Sequence, residues 1–236
     1  MIYVTADLHG IHPAQLQKLL KKAHFSSEDF LFILGDVIDR GKYGAELLLW
    51  LSQQPNMELI LGNHEAHLLS CSFLFADVNE ESLDMLTVEH MELVNNWIAN
   101  GGGNTIKGFR KLLKQDPELV IGILEYLQDC PLFEEVNAAG KRFVLVHAGL
   151  GSSFSPEKSL EDYTAEELLF SRPHPDTVYY PDKTVIFGHT PTFHYGEEYR
   201  GKPMYTDSWI NIDTGVYGGN SPVLLCLDNG KEYYLT

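Results

Sequence analysis

Five apolar runs in this chain stop at the same kind of residue. "IYVT" leads into "ADLHG", "FLFIL" into "GDVIDRG", "MELIL" into "GNHE", "RFVLV" into "HAG" and "TVIF" into "GHT". Short continuous runs of this type read as strands buried on both faces. At their ends stand Asp7 and His9, then Asp36, Asp39 and Arg40, then Asn63 and His64, then His147, then His189. Ligands in open α/β sheets bind beyond the carboxyl ends of strands, so these side chains are expected to gather along one edge. Four of the ten histidines belong to this set.

The segments between the runs decide the fold class. Pro13 followed by Leu16, Leu19 and Leu20 predicts a helix, as does "GAELLLWLSQQ" from Gly44. Strands alternating with helices at this rhythm imply crossover units and a largely parallel sheet. Residues 64 to about 129 lack a strand pattern and read as helices over 80–100, 104–115 and 117–130, a helical cap insertion of about 65–130. "GGGNT" at 101–105 reads as a turn between two of them, because the GK[ST] of a phosphate loop does not follow. The last three runs, "SWINIDT", "PVLLCLD" and "KEYYL", read as antiparallel, with a hairpin signal at "DNG". The expected architecture over 1–236 is a single α/β domain. It has two mixed β-sheets packed as a sandwich, flanked by helices and carrying the cap insertion.

Charge narrows the partners. A formal net charge of -16 repels nucleic acid and anionic membranes, so neither is an expected partner. An anionic substrate then needs positive charge placed locally. Cys71, Cys130 and Cys226 form no CxxC and read as buried thiols of a reducing compartment. With no basic leader and no run of 18 apolar residues, the expectation is a soluble cytoplasmic protein.

Asp, His and Asn together are a ligand set for divalent first-row metals such as Mn, Fe or Zn. So many donors exceed one tetrahedral ion and suit two ions sharing a carboxylate. Two ions roughly 3.5–4 Å apart can activate a hydroxide between them and clamp the oxygens of an in-line displacement. Gly35, Gly62 and Gly188 are expected to let the backbone turn sharply beside these donors.

The five signatures, "DLHG" at 7–10, "GDVIDRG" at 35–41, "GNHE" at 62–65, "HAG" at 147–149 and "GHT" at 188–190, resemble the calcineurin-like metallophosphoesterases. Within them the closest likeness is to the PPP-type serine/threonine phosphoprotein phosphatases of bacterial type. The resemblance implies roles. Asp7 and His9 bind a first ion, Asp36 bridges, and Asn63, His147 and His189 complete a second. His64 is the general acid and Asp39 its carboxylate partner. Arg40 and, in "LLFSRPHPD", Arg172 hold the phosphoryl oxygens. The implied cofactors are two divalent ions, Mn first, with Fe or Zn as alternatives. The implied reaction is attack on phosphorus by a hydroxide held between the ions. The substrate would be phosphoserine or phosphothreonine in a protein, with phosphotyrosine or a phosphorylated small molecule also within reach. An alternative is a symmetrical diadenosine-tetraphosphate hydrolase, which shares this fold and the "LGNH...HLL" region. Asp39 and the Glu of "GNHE" favour the phosphoprotein branch. A non-catalytic scaffold is the remote alternative, and the intact donor set speaks against it.

Other features have plainer readings. "HEAH" at 64–67 is one residue short of the zinc-protease HExxH, so His67 reads as a helix-surface residue. Lys107, Arg110, Lys111 and Lys114 form one stripe of a helix, a solvated face or, more sharply, a basic patch overhanging the site. Oligomeric state leaves no trace in the sequence.

Overall fold

Strands whose successive side chains alternate between two faces, apolar on both, need a packed layer on either side. The computed structural model, which describes residues 1–76 and 87–235, supplies those layers. One sheet has the order β10 (Glu232–Tyr234), β9 (Val223–Cys226), β1 (Ile2–Thr5), β2 (Phe30–Leu34), β3 (Met57–Ile60). Its β1, β2 and β3 run parallel, while β9 and β10 are antiparallel. The other has the order β4 (Phe133–Ala138), β5 (Lys141–Val146), β6 (Thr184–Phe187), β8 (Trp209–Asn211), β7 (Met204–Tyr205). In it β5, β6 and β8 are parallel and the two edge strands antiparallel.

The alternation sorts the core into three bodies. On β2, Phe32 and Leu34 join Val4, Phe143, Leu145 and Ile186 between the sheets, whereas Leu31 and Ile33 face the helices. The helical layer comprises α1 (Pro13–Lys22), α2 (Gly44–Leu51), α3 (Asn63–Ser70), α4 (Val88–Trp97), α5 (Gly103–Gln115) and α6 (Pro117–Asp129). On α1, Leu16, Leu19 and Leu20 are buried, and His12 caps the helix by accepting the Ala14 N–H at 3.1 Å. The third body lies beyond the second sheet, where Trp209, Phe187, Leu168 and Tyr179 pack together. Among the described residues no helix is long and apolar enough to cross a membrane.

Where residues 65–130 are described they are largely helical, and the 77–86 portion of the expected insertion lies outside the described residues. Between α4 and α5 the chain makes a π-type turn over Ile98–Gly102, with Gly101 at φ 105°. One expectation about elements changes. The last three runs do not form one antiparallel set: β8 pairs parallel to β6, and only β9 and β10 reach the first sheet. The expected turn at "DNG" does join β9 to β10 as antiparallel neighbours, with Gly230 N–H donating to Cys226 O at 2.8 Å. Residues 212–222 carry the chain from one sheet to the other. A further helix, α7 (Ala165–Phe170), was unexpected; its Thr164–Glu167 capping box is the signal that marks it.

Trp209 is fully buried, with its ring 5.2 Å from that of Phe187. We expect Trp209→Ala to cost about 3–5 kcal/mol in urea unfolding. Val178→Ala, at a 73% exposed side chain, should stay within about 0.5 kcal/mol.

Candidate metal centre

The loops that leave β1, β2, β3, β5 and β6 meet, so the candidate site lies across the ends of both sheets and not on a single edge. Getting there bends the backbone hard. Asp7, His9, Asp36, Asp39, Arg40 and His189 all take positive φ, between 40° and 67°. Such conformations cost of order 1–3 kcal/mol each for non-glycine residues and persist only when their surroundings hold them. Backbone bonds from Asp7 N–H to Gly35 O, His9 N–H to Asp36 O and Gly10 N–H to Val37 O zip the first loop onto the second. Glu65, fully buried, accepts four amides: Asp36 and Gly62 on one oxygen, Val37 and Ile38 on the other. Of the three glycines, only Gly35 has a positive φ, 77°. Gly188 is needed for space instead, since a Cβ there would overlap the Asp7 carboxylate.

Asp36 sits at the middle. Its Oδ2 is 3.8 Å from His9 Nε2 and 3.7 Å from His64 Nε2, and its Oδ1 is 3.4 Å from His147 Nε2. Two groups able to hold a cation share it: His9, Asp36 and His64, and Asp36, His147 and His189. Asn63 joins the second, with its Oδ1 at 2.9 Å from both His147 Nε2 and His189 Nδ1. Burial raises the Asp36 carboxyl, yet the imidazoles of His147, His64, His9 and His189 outweigh it and hold the group below the usual carboxylate range. Burial holds His9 and His189 down at about 3, and lowers His147 as well.

The donors fit divalent cations on their own chemistry. His147 gives its Nδ1–H to Leu34 O at 2.8 Å, which leaves the Nε2 lone pair facing the oxygens of Asn63 and Asp36. His9 does the same toward Ile38 O at 3.1 Å. Acceptors turned on one another call for a cation between them. His189 Nε2 is buried without a hydrogen-bond partner. Asp7 points the same way from one side, taking the His189 N–H at 3.0 and 3.1 Å. Burial, Asp213 and Asp36 together push its carboxyl well up. Asp213 is itself raised to about 7 by burial, with Asp36 adding to it.

Around this row stand the other expected residues. His64 Nδ1 lies 2.6 Å from Asp39 Oδ2. Burial works against charging His64, but Asp36 and Asp39 overcome it and raise the imidazole's pKa. Arg40 reaches His9 Nε2 at 2.8 Å and His64 Nε2 at 3.3 Å. Arg172 donates to Thr190 Oγ1 at 3.0 Å, beside His189.

Several participants escaped the sequence reading. Asp213 ends the β8 run as a carboxylate, which is the rule that found the other five ends. Trp97 Nε1–H donates to Asp39 Oδ2 at 2.8 Å, and Thr105 donates its hydroxyl to Asp39 Oδ1 at 2.5 Å while accepting the Asp39 N–H at 3.0 Å. The turn between these two residues also serves the site: Gly101 O accepts the Arg40 N–H at 3.0 Å, and Asn104 donates to Arg40 O at 3.2 Å. The basic stripe does not overhang the centre. The α5 face with Thr105, Phe109 and Leu112 is buried, while Lys107, Arg110, Lys111 and Lys114 are exposed and Lys111 pairs with Glu46.

The sequence pattern of the calcineurin-like phosphoesterases matches residues 1–207. Among curated relatives, the symmetrical bis(5'-nucleosyl)-tetraphosphatase of Paracidovorax citrulli is 28% identical over 68% of this chain and 48% of its own length. The protein of that name from Erwinia tasmaniensis is 31% identical, covering 94% of this chain and 92% of its own. The chain spans about half the length of the first two relatives it matches. A crystal structure described as a candidate diadenosine tetraphosphatase superposes with TM-score 0.65 at 18% identity, over 99% of this chain and 92% of that one. A Saccharomyces cerevisiae serine/threonine phosphatase does so with TM-score 0.56 at 15% identity, over 100% and 80%. These two likenesses concern the fold.

Divalent metal should stabilise the chain by about 2.7 kcal/mol when Mn is at 100 times its dissociation constant. We expect Asp36→Asn to abolish that increment in thermal melts. Equal stabilisation of both proteins would sink the shared-carboxylate reading. Thr105→Val should cost at least about 1–3 kcal/mol, because it strands a buried carboxylate oxygen and a buried amide. Urea unfolding is the check.

Proposed function

Because the chain belongs to the calcineurin-like phosphoesterase family, we propose that it is a metal-dependent hydrolase of dinucleoside polyphosphates. The reaction class is symmetrical cleavage of diadenosine tetraphosphate. The observation that carries this reading is the tetraphosphatase relative 31% identical over 94% of this chain. The family works with two divalent ions, and the donors above are suited to Mn, Fe or Zn.

Asp7, His9 and Asp36 would hold one ion and Asp36, Asn63, His147 and His189 the other. Bound ions supply positive charge against phosphoryl oxygens and acidify water. The chain's own groups do the rest. Arg40 and Arg172 reach the row from its two sides, next to His9 and next to His189 respectively. Their planar forks suit phosphate oxygens, and on a chain of net charge -16 they provide the local attraction an anionic substrate needs. His64, whose pKa Asp36 and Asp39 raise, would offer a proton from Nε2 to the leaving oxygen. Asp39 keeps Nδ1–H engaged, so the proton to be given away is the one on Nε2.

One observation favours a second reading, hydrolysis of phosphoserine or phosphothreonine. The His64–Asp39 pair, 2.6 Å apart, favours keeping a proton on the imidazole for a leaving group. A serine alkoxide needs such a donor to depart, whereas a nucleoside diphosphate leaves readily without one. The proposed enzyme would use it to a lesser degree.

Side-by-side turnover with Mn should show diadenosine tetraphosphate converted to ADP faster than a phosphoserine or phosphotyrosine peptide is dephosphorylated. A phosphopeptide turned over faster, with no ADP formed, would overturn the reading in favour of the second. His64→Asn should slow p-nitrophenyl phosphate less than phenyl phosphate, by about 10²–10⁴-fold for the poorer leaving group. An equal loss for both would remove His64 as the proton donor.

A further inference from the structure

Beyond the donors, the centre is bounded by a row of rings. Tyr217 meets the edge of His9 at 5.8 Å between centroids, His9 meets His64 at 5.1 Å, and His64 meets His67 at 6.5 Å. Phe170 then closes the row, 6.2 Å from His67 and 6.4 Å from His189. The two end rings are open to solvent: Tyr217 is 47% exposed and Phe170 43%. Neither is used by the chemistry described above.

Each end ring is paired with one of the two guanidinium groups. Arg40 lies over Tyr217, 4.2 Å from its centroid, while also touching His9. Phe170 and Arg172 together line a cavity of about 700 Å³, with Phe154, Thr164 and Thr177 on its other walls. That is the size of a small-molecule site. An exposed ring with a guanidinium near it thus stands at each end of the row of candidate ligands.

We infer that Phe170 and Tyr217 are base-stacking platforms, one for each nucleoside of a dinucleoside polyphosphate whose phosphates lie along the row from Arg40 to Arg172. The inference rests on the function proposed above and specifies how it recognises its substrate. Every nucleobase has a π face, and stacking on an aromatic side chain tolerates any base. A phosphopeptide or a mononucleotide has no use for two such platforms on opposite sides. A substrate with a nucleoside at each end of a phosphate chain uses both.

The test compares kcat/KM for diadenosine tetraphosphate with kcat/KM for p-nitrophenyl phosphate, which has no nucleoside. Phe170→Ala and Tyr217→Ala should each lower the ratio of the two roughly 5- to 100-fold, the usual worth of one stacked base. Phe170→Trp should keep the ratio within about twofold, since a π face remains. Phe170→Leu, apolar and bulky but not aromatic, should lose it. Melting curves establish that each variant is folded, which these exposed positions favour. Unchanged ratios in the alanine variants, or leucine serving as well as tryptophan, would overturn the platforms. If the wild-type protein forms ADP from diadenosine tetraphosphate while the variants keep its ratio, only the platforms fail. If the wild type forms none and dephosphorylates a phosphoserine peptide, the proposed function fails and the platforms go with it.

Discussion

Four backbone amides converge on the carboxylate of Glu65, and the geometry of the centre follows from that contact. The amides of Asp36, Val37 and Ile38 belong to the turn after β2, and that of Gly62 to the turn after β3. Left without the carboxylate, each would be a buried unsatisfied donor worth about 1–3 kcal/mol. Glu65 shares its helical turn with Asn63 and His64, so the clamp sets the distance from those two donors to Asp36. Burial first, and the nearby Asp36 charge second, push its own pKa to about 7, in a region crowded with other buried carboxylates.

That crowding explains the rest of the electrostatics. Asp7, Asp36, Asp39, Glu65 and Asp213 are all buried within one region of a chain already strongly acidic. Three of them have partners of their own: Glu65 has backbone amides, Asp39 has Trp97, Thr105 and His64, and Asp36 has the imidazoles around it. Asp7, raised by burial, Asp213 and Asp36, has the His189 amide, and Asp213, raised by burial and Asp36, has the Gly215 amide.

The sequence revealed the ends of five strands because a buried strand that stops at a polar ligand leaves an abrupt change of pattern. Asp7, His9, Asp36, Asn63, His147 and His189 do come together, as that pattern implied. What it hid was contact at long range. Trp97 looked like an ordinary apolar residue of a helix, and Thr105 like a turn residue, because nothing local marks a side chain whose partner lies 58 or 66 positions away. The strand β8 was misplaced for a related reason: three residues, "WIN", carry alternation but no information on which sheet receives them. Glu65 stood in plain view within "GNHE" without disclosing that its partners are amides.

The support that the insertion gives Asp39 bears on how such a protein can diversify. Its helices and the turn at Gly101 bring Trp97, Thr105 and Asn104 into contact with Asp39 and Arg40. The insertion is therefore not a module that recombination could exchange freely to create a new specificity. An incoming segment lacking an indole and a hydroxyl at those places would leave the buried Asp39 carboxylate without two of its partners. Divergence by point substitution has more room on the outward faces of α5 and α6, where Lys107, Arg110 and Glu125 touch nothing in the centre.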